Sequence, residues 1–133
     1  YRLAKRFRTD HPQHRQRMTV LAGGREAITE YHVLEQFAHQ VGPAAGDYTL
    51  VEAQPLTGRT HQIRVHFASI HHPVVGDATY GGKKRVKSVQ NHLLRARLSK
   101  VKRQMLHARR LALEHPVTGE TLDWSAPLPE YIR

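Results

Sequence analysis

The sequence predicts an α+β domain, and three observations predict it. Runs of alternating polar and apolar residues recur along the chain, one stretch instead repeats its apolar residues at the helical period, and Gly- and Pro-containing turn signals separate them. Several strands with few helices fit this class, and no internal repeat or low-complexity tract argues for another. A chain of 133 residues suffices for one domain with a modest core.

Residues 1–17 are polar and basic, with Arg2, Lys5, Arg6, Arg8, Arg15 and Arg17 around a His11-Pro12 break. No periodicity persists there, so the reading is an irregular basic lead-in. Residues 18–21 predict a short strand, and Gly23-Gly24 a turn. A second strand is predicted over 27–37 through Thr29, Tyr31, Val33 and Phe37, with the alternation breaking at Val33-Leu34. Residues 42–46, with Gly42-Pro43 at their start, read as a loop. A third strand is predicted over 47–55 through Tyr48, Leu50 and Ala53.

Thr57-Gly58 then turns the chain, and Thr60 is a suitable N-cap for a helix. Over 61–70 the residues Ile63, Phe67 and Ile70 recur at i, i+4 and i+7, which predicts a helix closed by His72-Pro73. Gly76-Asp77 and Gly81-Gly82 bracket an irregular loop holding Tyr80. Residues 83–103 carry nine Lys/Arg and no acid, with a helix predicted near 89–98. The alternation of 105–113 and the Thr118-Gly119 turn into 121–125 predict a hairpin.

The formal charge of +10, from 21 Lys/Arg against 11 acidic residues, suits a polyanionic partner bound through phosphate contacts. The bland alternative is charge that only serves solubility. A basic membrane-surface role is disfavoured because the basic segments lack bulky aromatic anchors. With no cysteine, disulfides and thiolate metal sites are excluded. No apolar run reaches the ~18 residues of a membrane span and the N-terminus is not signal-like, so a cytoplasmic protein is expected.

The densest polar constellation is Gly58-Arg59-Thr60-His61-Gln62-Ile63-Arg64-Val65-His66. On a helix His61 and Arg64 share one face and Ile63 and Phe67 another, and the helix N-terminus near Thr60 is a natural anion site. Arg64 then faces a buried carboxylate or a phosphate; the alternative is an amphipathic helix with a solvated polar face. The 11 histidines raise the question of a metal. His61 and His66 are five apart and His71-His72 adjacent, so neither matches the i, i+4 spacing of a helical zinc site, and no metal site is expected. Walker-type phosphate loops and the Gly-x-Ser-x-Gly elbow are also missing from the sequence.

Residues 56–66, Leu56-Thr57-Gly58-Arg59-Thr60-His61-Gln62-Ile63-Arg64-Val65-His66, precede His72-Pro73-Val74-Val75-Gly76-Asp77 and Tyr80-Gly81. Met105-Leu106-His107-Ala108, His115-Pro116-Val117-Thr118-Gly119-Glu120 and Ala126-Pro127-Leu128-Pro129 come later, in order. Together these words resemble the signature of RluA-type pseudouridine synthases, and the resemblance spans roughly 15–130. It implies a partial pseudouridine-synthase-like domain, the C-terminal part of a single catalytic domain, with a mixed, mainly antiparallel sheet and flanking helices. It also implies isomerisation of uridine to pseudouridine in ribosomal or transfer RNA, with no metal or organic cofactor.

The family's essential aspartate lies in a His-Arg-Leu-Asp-x-x-(Thr/Ser)-Gly motif that is absent here; Asp10, Asp47, Asp77 and Asp123 all have other neighbours. The resemblance places that aspartate upstream of Tyr1, and Tyr1 lacks the context of the family's base-packing tyrosine. It matches Arg64 to the arginine that pairs with the aspartate and Leu106 to an apolar residue of the uracil pocket. Arg59, His61, Tyr80 and the insertion-like 83–103 segment are further candidates for holding RNA; for 83–103 the alternative is an ordinary solvated helix, since its basic residues show no one-sided pattern under the helical period. The expectation is an enzyme part that needs the missing N-terminal portion as partner, is inactive alone, and self-associates through an uncovered edge or apolar surface. The competing reading is a non-catalytic RNA-binding module on the same fold; a histidine-dependent metallonuclease is a distant third.

Overall fold

The computed structural model describes residues 1–9, 18–37 and 48–132, and of 6–9 the backbone only. Four strands, β1 (Arg2–Thr9), β2 (Met18–Val20), β3 (Arg25–Phe37) and β4 (Tyr48–Pro55), form one antiparallel sheet in the order β2-β1-β3-β4. Helix α1 (Gln62–Ser69) packs on it. A short α2 (Gly82–Arg85), a 3-10 turn (Val86–Ser88) and α3 (His92–Ser99) come next, then a separate hairpin of β5 (Arg110–Glu114) and β6 (Thr121–Ser125). The class is α+β, with every strand pair among the described residues antiparallel.

The main correction concerns the expected irregular lead-in. Residues 2–9 are a strand, and an inner one, hydrogen-bonded to β2 on one side and β3 on the other. Its charges argue for an irregular run, but Arg2 stands opposite Glu30, an oppositely charged cross-strand neighbour. The remaining residues of the expected lead-in, 10–17, lie outside the described residues, as do Asp47 and the loop expected at 42–46.

The break in alternation at Val33-Leu34 has a structural cause. Val33 pairs with Val51 and Glu35 with Leu50, so Leu34 is the extra residue of a β-bulge. N-terminal to it, Ala27 and Thr29 are fully buried and Tyr31 meets the Phe67 ring edge-on at 5.2 Å, so this face of β3 seats α1. Met18, Val20 and Tyr80 pack around the Ala27–Val65 centre of that core.

Helix α1 starts one residue later than expected and Thr60 does not cap it. The N-cap is His61, in the left-handed region at φ 56° and without a side-chain cap. At the other end His71 is left-handed (φ 63°) and both His72 N–H to Phe67 O (2.9 Å) and His71 N–H to Ala68 O (3.1 Å) form, the paired bonds of a Schellman ending. The buried face is also not the Ile63–Phe67 stripe alone. It carries Gln62, Val65, His66 and Phe67, two of them polar. Residues 105–109 are not a strand either; Met105 N–H is instead bonded to Val75 O at 2.8 Å, and the hairpin begins at Arg110.

Two glycines hold the 74–82 loop in place. A Cβ on Gly82 would lie 1.8 Å from Val74 O and 2.9 Å from Asp77 N, both backbone atoms. Gly76, at φ 77°, would meet Arg103 O at 2.2 Å. The Gly82→Ala variant should therefore lose about 1–3 kcal/mol of stability through forced backbone displacement, read as the shift in a denaturant unfolding midpoint.

Candidate active site

The site grows out of how α1 is fastened to the sheet. Gln62 uses its whole amide: Nε2 donates to Ile28 O (2.8 Å) and Thr29 Oγ1 (3.0 Å), while Oε1 accepts from Thr57 Oγ1 (2.7 Å) and Arg59 N–H (3.0 Å). One turn later the fully buried His66 places Nδ1 2.8 Å from Thr29 Oγ1. These two polar anchors set the rotation of the helix about its axis, and hence the direction of Arg64. Burial lowers the pKa of His66 below its ordinary 6.5, against a hydrogen bond with Ala27 that raises it, so the ring is neutral at physiological pH.

Arg64 reaches from α1 to Asp77 on the 74–82 loop. Its Nε donates to Oδ2 at 2.7 Å and its Nη2 to Oδ1 at 3.0 Å, a bidentate pair in which Asp77 is fully buried and the Arg64 side chain 12% exposed. Asp77 Oδ1 also accepts from the backbone N–H of Thr79 (2.9 Å) and Tyr80 (3.0 Å). Burial alone would raise the Asp77 carboxyl, but the hydrogen bonds from Arg64, Tyr80 and Thr79 outweigh it and hold the pKa below the ordinary 3.8. The hydrogen bond to Asp77 in turn raises the pKa of Arg64 against the desolvation that lowers it.

The pair occupies only one edge of the guanidinium. Among the described residues Nη1 makes no hydrogen bond, and Nη2 has a second N–H to give. The Nη1–Nη2 edge is thus a second fork, matched to another carboxylate or a phosphate.

Tyr80 completes the cluster. Arg64 Cζ lies 4.9 Å from its ring centroid, a cation–π contact. Its hydroxyl accepts Met18 N–H at 2.9 Å and lies 2.9 Å from His61 Nδ1. Desolvation and the Arg64 charge lower the His61 pKa below 6.5, with Asp77 opposing. A neutral His61 can accept the Tyr80 proton at Nδ1, carrying its own on Nε2. The left-handed backbone of His61, uncommon for a non-glycine residue, turns the ring toward that hydroxyl.

The structure therefore brings Arg64, His61 and Tyr80 together. It does not bring Arg59 to them by any hydrogen bond: Arg59 Nε donates back to Glu26 O at 3.0 Å. Leu106 is half-buried one residue from Met105, whose N–H is tied to Val75 in the same loop. Sequence reasoning missed Asp77 as the partner of Arg64, and Gln62 and His66 as anchors. The signal for Asp77 was its place between Gly76 and Tyr80-Gly81, inside one of the motif words.

A family model described as RNA pseudouridylate synthase matches residues 2–69, just over half of the chain. A protein of Pasteurella multocida named ribosomal large subunit pseudouridine synthase D is 45% identical over 119 residues, 90% of this chain and 34% of that protein. Its namesakes in Pseudomonas aeruginosa and Escherichia coli are 45% and 41% identical over 120 residues, covering 90% of this chain and 35% and 34% of theirs. The solved structure of Human RNA Pseudouridylate Synthase Domain Containing 1 superposes with a TM-score of 0.66 at 30% identity, covering 96% of this chain and 47% of that one. The chain spans about a third of the length of the curated relatives it matches. Motif words, antiparallel fold and family model agree: this chain belongs to the RNA pseudouridylate synthase family.

Proposed function

We propose that the chain is the C-terminal part of an RNA pseudouridine synthase catalytic domain that isomerises uridines of large-subunit ribosomal RNA. The observation that carries this reading is the half-used guanidinium of Arg64. Asp77 grips the Nε–Nη2 edge from the buried side and leaves the Nη1–Nη2 edge for the family's catalytic aspartate, supplied from outside these residues. An arginine in that position keeps the incoming carboxylate ionised and aimed. In this reading Tyr80 and His61 brace the arginine, Leu106 lines the uracil slot, and Arg59 is a phosphate contact beside it. The target uridine leaves its stack to reach the pocket. The reaction needs no metal or organic cofactor, and its setting is cytoplasmic. No helix among the described residues is long and apolar enough to cross a membrane.

The missing N-terminal part of the domain is the partner this reading requires. The β5–β6 hairpin supports it: Leu111 pairs with Trp124 and Leu113 with Leu122, one apolar face on which Leu111, Leu113 and Trp124 are exposed. A two-stranded hairpin is at best marginally stable in water and wants such a face covered. In isolation, pairing between copies through the same face would account for self-association.

The test is tritium release from RNA labelled at uridine C5. The chain alone is expected to release none, because positioning groups contribute only when the attacking group is present. Joined to the aspartate-bearing N-terminal segment of the Pasteurella multocida relative, it is expected to turn over. RNA binding without release in either form favours the non-catalytic module.

A further inference from the structure

We infer that residues 83–103 form a phosphate-binding surface that holds RNA beside the Arg64 site, an inference that rests on RNA being the substrate. All nine Lys/Arg of this segment are exposed and it contains no acid. Among the described residues the three salt bridges use Arg64, Arg109 and Arg110, so none of the nine cations faces a carboxylate there. Two of the nine side chains have another partner: Arg85 donates to the backbone carbonyl of His71, and Arg103 stacks on Tyr131 with Cζ 4.4 Å from the ring centroid.

A face that serves solubility mixes both signs and gains from i, i+4 pairs. Here Lys83 and Lys87 stand four apart as like charges, and α3 buries no residue while presenting Arg95 and Arg97 to solvent. Such a surface repels itself until a polyanion neutralises it.

The segment is nevertheless fixed in place, which separates it from a basic tail. Val86 and Val89 are buried, and Asn91 caps α3 by accepting Leu94 N–H at 2.9 Å. Both of its ends are fastened to the loop that carries Asp77 and Tyr80. Lys83 N–H donates to Asp77 O at 2.9 Å, Met105 N–H donates to Val75 O at 2.8 Å, and Gly76 admits the Arg103 carbonyl. The segment is therefore held at a set position relative to the loop that pairs with Arg64, so that phosphates bound along it would flank the nucleotide to be flipped.

The experiment is the salt dependence of the chain's affinity for a single-stranded, uridine-containing RNA, read by fluorescence anisotropy. The quadruple variant K84Q/K87Q/R95Q/R97Q alters only exposed side chains. It is compared with R2Q/R25Q/R109Q/R110Q, which removes the same charge elsewhere. The segment variant should lose at least about tenfold in affinity near 0.15 M salt, and its log–log salt slope should flatten by about 0.7 for each phosphate no longer neutralised. The control variant should keep the wild-type slope. Equal losses in both variants, or none in the segment variant while wild type binds, would overturn the inference and leave the RNA reading standing. Failure of the wild-type chain to bind RNA would instead count against the RNA reading itself.

Discussion

Arg64→Ala is expected to cost about 3–5 kcal/mol of stability, because it strands a fully buried Asp77 carboxylate without its counter-charge. In the chain joined to the aspartate-bearing segment, it should also lower turnover by about 100-fold or more, since the nucleophile loses the group that aims it. The two effects separate by variant. Arg64→Lys retains the charge but cannot bridge two carboxylates with a planar fork, so it should recover part of the stability and little of the turnover. Chemical denaturation of the chain and tritium release by the joined enzyme read the two quantities.

The second large effect is expected at Asp77→Asn, which keeps the shape and removes the charge. The amide can still accept at Oδ1, but its NH2 group now opposes an Arg64 N–H, so about 2–3 kcal/mol of charge-assisted hydrogen bonding is lost. The depressed pKa of Asp77 fixes the sign of the pH dependence. Its stabilisation is fully present above the unfolded value of 3.8 and is lost as pH falls through the lower folded value. The stability gap between wild type and variant should therefore be constant at neutral pH and close below about pH 3.8. In the joined enzyme the variant should also reduce kcat while leaving the KM for RNA unchanged. A gap that persists unchanged in strong acid would mean that Asp77 acts by packing alone.

The parts of this fold legible in the sequence are those set by local pattern. Alternation marks the β3 and β4 strands, and even the β-bulge at Leu34 shows as a slip in it. The period of Ile63, Phe67 and Ile70 marks α1, and Thr118-Gly119 marks the hairpin turn. What is not legible depends on partners far along the chain. β1 is a strand because β2 and β3 pair with both of its edges, and no feature of its own charged sequence reports that. Thr60 has the right chemistry for a cap. The observed start is instead set by Gln62 bonding back to Thr57 and Arg59, and by His61 turning toward Tyr80, 19 residues away.

The site divides along the same line. Motif words single out Arg64, His61 and Tyr80, and the structure brings them together. The neighbours of Asp77 rule it out as the family's nucleophile and say nothing of a second role. Its part as the buried grip on Arg64 is a pairing across 13 residues between a helix and a loop. Gln62 and His66 read as polar positions of a solvated helix face; their burial depends on Thr29 and Ile28 of β3, which one helix's periodicity cannot show.

The most direct test of the account is a double-mutant cycle between Arg64 and the family's aspartate. The affinity of the aspartate-bearing segment, added in trans, would be measured for the wild-type pair, for Arg64→Ala, for the segment with its aspartate changed to asparagine, and for both changes together. If the open edge of Arg64 receives that carboxylate, the losses are non-additive, with a coupling of about 1.5 kcal/mol or more. Losses that add to within about 0.5 kcal/mol would mean that the two groups do not meet, and would contradict the account.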